Sequence, residues 1–334
     1  MDAVKRVQLL RKFERIWVFI LTSLLVACQG ADGVDIQNPV VVASEPSATI
    51  EAIYTATPSV TPTATPTSAP TKTAIPTATP FVCSSQEGQT REGSFFSPAM
   101  AEEEIHYFVH LPPCYAYSRE RNFPVLYLFH GWPMDEEHWV ELGVEKIADE
   151  WSGRSMMGPL IIVMPGVVNP QGLYINSSGG DHSVEGMVVN ELVPLIDDNY
   201  RTWQAAEGRA LGGISRGGVW ALEIGLRNPD IFSIVGAHSP ALSVNYPLPA
   251  YDPFLLVEDG ALGQRIYLSA GDADWARHST IRLYELLVEN EAEVQYQMGE
   301  GAHVDRLWRL GLPNYLKFYT ETWPRSYDEL PPQD

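Results

Sequence analysis

The stretch Ala210-Leu211-Gly212-Gly213-Ile214-Ser215-Arg216-Gly217-Gly218-Val219-Trp220 turns from an apolar run, through a G-x-S-x-G pattern, into helix-forming sequence. An apolar strand that meets a helix across a tight turn lifts the serine hydroxyl clear of a sheet, at the positive end of the helix. The flanking glycines are the residues that tolerate the strained backbone and the close packing such a turn demands. The bare pattern occurs by chance, so its strand-turn-helix setting carries the reading of Ser215 as a nucleophile.

Strand-like and helical patterns alternate on both sides of this stretch. Apolar runs mark strands at 93–97, 105–111, 124–129, 160–164, 210–214, 234–238, 266–270 and 294–298, and helical spacing marks 138–151, 184–200, 217–227, 280–290 and 304–322. Near-continuous runs such as Pro124-Val125-Leu126-Tyr127-Leu128-Phe129 suit strands buried on both faces. The fold class expected is α/β: a mostly parallel central sheet with helices on both faces, the first two strands forming an antiparallel edge. No internal repeat or second such domain is visible in the sequence.

A serine hydroxyl becomes a good nucleophile only when a base accepts its proton, and the base needs an orienting carboxylate. In the chain order Ser, Asp/Glu, His, the apolar strand ending at Ala270 runs into Gly271-Asp272-Ala273-Asp274. Asp274 is the preferred acid. Asp272, nearer the strand end, is the alternative, with a loop-holding role otherwise; Glu258 and Asp259 precede the strand and fit poorly. The base is His303 in Gly301-Ala302-His303, between the last strand and the final helix. His278 follows the acid too closely, and His238 breaks the chain order, although it could line the pocket. Backbone N–H groups of Trp132, after His130-Gly131, and of Arg216 are the expected oxyanion donors, with His130 steadying the loop. Trp132, Trp139, Tyr174 and Trp220 are candidate stacking surfaces, Trp220 being better suited to the core. Tyr174, on the long 165–181 connection, and His238 are the candidate substrate contacts.

The remainder of the 334-residue chain frames this domain. Lys5, Arg6, Arg11, Lys12 and Arg15 precede an apolar run that ends in Leu25-Val26-Ala27-Cys28, similar to a bacterial lipobox with Cys28 as the lipidated residue. Residues 1–27 are thus expected to be a lipoprotein signal peptide, and 28–82, rich in Thr, Pro, Ala and Ser, a stalk that forms no core. Residues 83–334 form the expected globular domain. In an oxidising compartment its two cysteines, Cys83 and Cys114, form an expected disulfide. The net charge of −20 argues against nucleic-acid partners, and the His and acidic residues show no metal-ligand spacing, so neither a metal nor another cofactor is expected.

The phrases Pro124-Val125-Leu126-Tyr127-Leu128-Phe129-His130-Gly131, Glu191-Leu192-Val193-Pro194-Leu195-Ile196-Asp197, Tyr200-Arg201-Thr202 and Gly212-Gly213-Ile214-Ser215-Arg216-Gly217-Gly218 resemble an esterase family of the α/β-hydrolases. That family groups enterochelin esterase-like proteins, esterase D, feruloyl and acetylxylan esterases, and the mycolyltransferases. The resemblance covers nearly all of 90–323 and implies an α/β-hydrolase fold with Ser215, Asp274 and His303 as the triad. With that triad the expected activity is a serine esterase acting through an acyl-enzyme on small-molecule or glycan esters, and the N-terminal segment with Cys28 places it outside the cytoplasm, touching the membrane only through its anchor. An acyltransferase using the same triad and a non-catalytic surface binding protein are the alternatives.

Overall fold

Val125–Phe129 is buried at every residue and lies near the centre of the sheet. In the computed structural model, which describes residues 81, 83–167, 180–258, 260 and 262–333, eight strands form one sheet. They are β1 (Gln89–Ser97), β2 (Glu103–Leu111), β3 (Val125–Phe129), β4 (Ile161–Pro165), β5 (Arg209–Ile214), β6 (Ile234–His238), β7 (Arg265–Gly271) and β8 (Glu293–Gly299), in the order β1-β2-β4-β3-β5-β6-β7-β8. The pairs β1–β2 and β2–β4 are antiparallel, which puts the β1–β2 hairpin at one edge, and the remaining neighbouring pairs are parallel.

Side chains alternate across a strand, so an uninterrupted apolar run feeds two cores at once. In β3, Val125, Tyr127 and Phe129 join one core while Leu126 and Leu128 join the other. The first face is covered by 184–199 and by α5 (Arg216–Arg227), through Val188, Leu192, Trp220 and Ile224. Further along the same face, α5 packs with α6 (Pro253–Glu258) and α7 (Arg277–Glu289) over Val235, Ile266 and Leu268. The opposite face is covered by α1 (His138–Leu142), α2 (Val144–Gly153) and α8 (Asp305–Thr320), through Trp139, Ala148, Trp308, Leu312 and Tyr319.

The strands fall where the sequence places them, and the helices differ in detail. The helix expected over 138–151 is broken at Gly143, whose φ of 90° no helix can continue, so α1 and α2 are separate. The helix expected over 184–200 comprises α3 (Val184–Gly186), a π-helical segment Met187–Leu192 and α4 (Val193–Asn199). The wide π turns lie just ahead of Pro194, which has no N–H to offer the Asn190 carbonyl. The short α6 carries too few turns to show periodicity.

Cys83 and Cys114 are bridged, their Cα atoms 5.7 Å apart. The bridge ties the residues ahead of β1 to the loop after β2. Replacing both cysteines by serine, which frees a loop spanning 31 residues, is expected to lower stability by about 3–4 kcal/mol in denaturant unfolding. A loss under about 1 kcal/mol would mean that strand pairing alone holds this edge.

Candidate active site

Ser215 follows β5 directly and adopts φ 56°, ψ −113°, a conformation unfavourable for a residue with a side chain. Its surroundings over-determine it. The Ser215 N–H donates to the His238 carbonyl at 2.9 Å and the Ser215 carbonyl accepts from Ala241 N–H at 3.0 Å. A Cβ on Gly213 would overlap the Gly217 carbonyl oxygen, and one on Gly217 would overlap the carbonyls of Phe129 and His130. The two glycines of the motif are therefore required by contact: α5 enters against the end of β3 with no room for a methyl group.

The three residues expected to act together meet across the C-terminal ends of β5, β7 and β8. His303 Nε2 lies 2.8 Å from Ser215 Oγ and His303 Nδ1 lies 2.9 Å from Asp274 Oδ1. Asp274 Oδ1 also accepts from Ala276 N–H at 2.8 Å, and its side chain is fully buried. Burial alone would raise the Asp274 pKa, but hydrogen bonds from His303, the Ser239 hydroxyl and Ala276 N–H outweigh it and hold the carboxyl below its ordinary value. An ionised Asp274 draws a proton to His303 Nδ1 and leaves Nε2 as the lone pair facing the serine. Asp272 plays the other part: its Oδ1 accepts from Gly301 N–H at 2.8 Å, and its N–H donates to the Gly299 carbonyl at 2.9 Å. It holds the loop that carries His303.

The loop after β3 is fixed by a second histidine. His130 Nε2 accepts from Val167 N–H at 2.8 Å, so its proton sits on Nδ1 and is donated to the Gly131 carbonyl at 2.9 Å. Met134 N–H donates to the same carbonyl at 2.8 Å. In a planar peptide the N–H opposes the C=O, so anchoring the Gly131 carbonyl from two sides fixes the direction of the Trp132 N–H. A Cβ on Gly131 would touch Ser215 Cβ at 3.4 Å, which places this peptide beside Ser215. Arg216, the other expected donor, opens α5, and its guanidinium donates to Asn245 Oδ1 at 2.6 Å.

A cleft of about 360 Å³ opens over the serine, lined by Trp132, Ser215, Arg216, Ala241, Val244, Trp275 and His303. A larger hollow of about 770 Å³ lies where β3 and β5 begin, among Tyr200, Trp203 and Pro332. It contains none of Ser215, Asp274 and His303. Of the candidate stacking rings, Trp132 lines the cleft. Trp139 and Trp220 are buried against Phe129, Trp139 donating its indole N–H to the Phe129 carbonyl. His238 does not reach the cleft, contrary to expectation: it is fully buried between the Ser269 and Tyr319 hydroxyls, with its ring 3.6 Å from that of Tyr315. The strand alternation that points Ala237 to one core turns His238 into the other. Tyr174 and Cys28 lie outside the described residues. Trp275 was not among the candidates; it is half-exposed, with its ring 4.4 Å from that of His303. Its place directly after Asp274 puts it near the acid, but its contact with His303 joins positions 28 residues apart.

A serine held on a strained turn at the centre of a mostly parallel, two-faced sheet defines the α/β-hydrolases. Within that class residues 97–319 match the family described as "Putative esterase", and the chain belongs to it. The chain is 33% identical over 121 residues to an endo-1,4-beta-xylanase/feruloyl esterase of Xylanibacter ruminicola, a match covering 36% of this chain and 17% of that protein. It is 34% identical over 126 residues to esterase Rv1288 of Mycobacterium tuberculosis, covering 37% and 26%. The chain thus spans about a quarter or less of these relatives' lengths. A solved ferulic acid esterase superposes with a TM-score of 0.64 at 23% identity, covering 71% of this chain and 99% of that one, which supports the fold.

Burial holds His130 and His238 neutral, with pKa values pushed down to about 4 and about 3 from 6.5. A depressed folded pKa contributes stability that is complete above 6.5 and is lost as pH falls through the folded value. The melting temperature is therefore expected to fall from pH 6.5 towards pH 4, with His130 contributing on the order of 3 kcal/mol over that window. His130→Gln should flatten the slope; an unchanged slope would show that the ring is not buried neutral.

Proposed function

We propose that Ser215, His303 and Asp274 form the catalytic triad of a serine carboxylic ester hydrolase, an assignment resting on the two hydrogen bonds of 2.8 and 2.9 Å that run through the His303 ring. His303 Nε2 takes the Ser215 proton as Oγ attacks the ester carbonyl. Asp274 holds the ring in the required tautomer and stabilises the imidazolium. The oxygen of the tetrahedral intermediate is stabilised by the N–H groups of Trp132 and Arg216. Collapse returns the His303 proton to the departing alcohol and leaves an acyl-enzyme. Water, deprotonated by the same Nε2, then attacks that acyl group and releases the acid with Ser215 restored.

Trp132 and Trp275 give the cleft two flat walls, which suit a planar, conjugated acyl group. The feruloyl esterase relative supports such a substrate, the alcohol being a small molecule or a glycan. The lipobox-like Cys28 and the Thr/Pro-rich 28–82 support action outside the cytoplasm from a lipid-anchored stalk, with no nucleic-acid partner.

Hydrolysis of p-nitrophenyl acetate by the full chain is expected to fall at least about a thousandfold in Ser215→Ala and His303→Ala. Turnover that survives Ser215→Ala would overturn the assignment, and consumption of the ester that, with a second alcohol present, yields that alcohol's ester in place of free acid would mark an acyltransferase. Trp132→Leu and Trp275→Leu should each lower kcat/KM for methyl ferulate relative to p-nitrophenyl acetate by about tenfold; equal losses on both would discard the planar acyl group. Radiolabelled palmitate should be incorporated in a bacterial host and lost in Cys28→Ser, and labelling of the variant would rule out the anchor.

A further inference from the structure

Helix α8 begins two residues after His303, and its first turn reaches both halves of the site without lining the cleft. Asp305, at its first position, has its Oδ1 3.2 Å from Nε2 of His138, a ring 99% buried. The opposite ring nitrogen, Nδ1, accepts from Gly131 N–H at 3.4 Å. An acceptor at Nδ1 requires the proton on Nε2, so His138 donates to Asp305 and receives from Gly131. Gly131 is thereby held at both ends of its backbone: its N–H by His138 and its carbonyl by His130 and Met134. That carbonyl belongs to the peptide whose N–H is Trp132's. Three residues along α8, Trp308 lies edge-on to His138 at 5.9 Å and to His303 at 5.0 Å. Its indole N–H donates to the Ser239 hydroxyl at 3.0 Å.

From this connection we infer that Asp305 and His138 are positioning residues for the oxyanion donor, setting the Gly131–Trp132 peptide relative to the His303 loop through the chain Asp305–His138–Gly131. The inference rests on the proposed triad and deepens it. Neither residue meets the reacting atoms. Asp305 acts only through His138, by holding its ring in the one tautomer that leaves Nδ1 free to accept. Without that anchor the ring can carry its proton on Nδ1, which would face the Gly131 N–H donor to donor. The loop would then shift from the geometry in which Trp132 meets the developing charge. Misplacement of about 1 Å costs on the order of a hundredfold in rate, and a hydrogen bond of 3.4 Å sets a smaller displacement.

The test compares Asp305→Ala, Asp305→Asn and Ser215→Ala with the parent protein. The Asp305 side chain is 41% exposed, so its replacement leaves no buried cavity. Three readings are taken: kcat and KM for p-nitrophenyl acetate, the inhibition constant of phenylboronic acid, which forms a tetrahedral adduct on the serine, and the melting temperature. Asp305→Ala is expected to lower kcat about tenfold, leave KM within about twofold and weaken phenylboronic acid by about the same tenfold. The melting temperature should stay within a few degrees. Asp305→Asn, whose amide oxygen still accepts from His138 Nε2–H, should restore most of both losses. Wild-type kcat in Asp305→Ala, a loss confined to KM, or an Asn variant no better than Ala would overturn the inference while leaving the triad standing. Turnover indifferent to Ser215→Ala would overturn both.

Discussion

One close backbone approach sets the geometry around Ser215. Gly217 lies against the carbonyls of Phe129 and His130 with no space for a side chain, so the helix after Ser215 and the loop after β3 meet at backbone distance. Catalysis of acyl transfer needs two backbone donors converging on one oxygen, and donors carried by different elements converge only if those elements touch. The strain at Ser215 follows from the same contact. A chain that enters α5 that close to β3 must turn sharply, and the bonds to His238 and Ala241 hold the turn in place.

Around that contact the buried polar groups divide by task. Asp274 is held below its ordinary pKa although buried, because the donors it meets, His303 and Ala276 N–H on Oδ1 among them, outweigh the desolvation cost. His130 and His238 are buried without a counter-charge and stay neutral, serving as hydrogen-bond connectors. Neutral imidazole offers one donor and one acceptor on opposite sides of a rigid ring, which is what a loop needs when a carbonyl and an N–H must be held at once.

The sheet, its order of chemistry and the three residues joined by hydrogen bonds were legible in the sequence because each has a strong local mark. Continuous apolar runs end at His130, at Gly271 and at Ser215, and loops between strand and helix carry the reactive side chains. Sequence left Asp274 and Asp272 as alternatives, since both lie in one acidic loop; only the partners, His303 for one and Gly301 N–H for the other, separate them. His238 was misplaced because its type suggested a ligand contact while strand alternation, equally visible, pointed it inward. Trp275 and the Asp305–His138 link were not legible for a different reason. Their meaning lies in contacts between elements 28 and 167 residues apart in sequence, which local pattern does not encode.

The rings that wall the cleft have little to do with what holds the protein together. Trp132 and Trp275 are half-exposed at strand ends, and Val244, Tyr246 and Leu248 on the neighbouring loop are exposed beyond half of their surface. None of the five belongs to the cores that cover the two faces of the sheet. The serine, by contrast, is locked to β3, β6 and α5. Substitutions in the cleft walls therefore carry a small thermodynamic cost, whereas the turn at Ser215 is tied into the packed centre of the fold. A scaffold divided in this way lets one chemistry spread over many substrates without being reinvented.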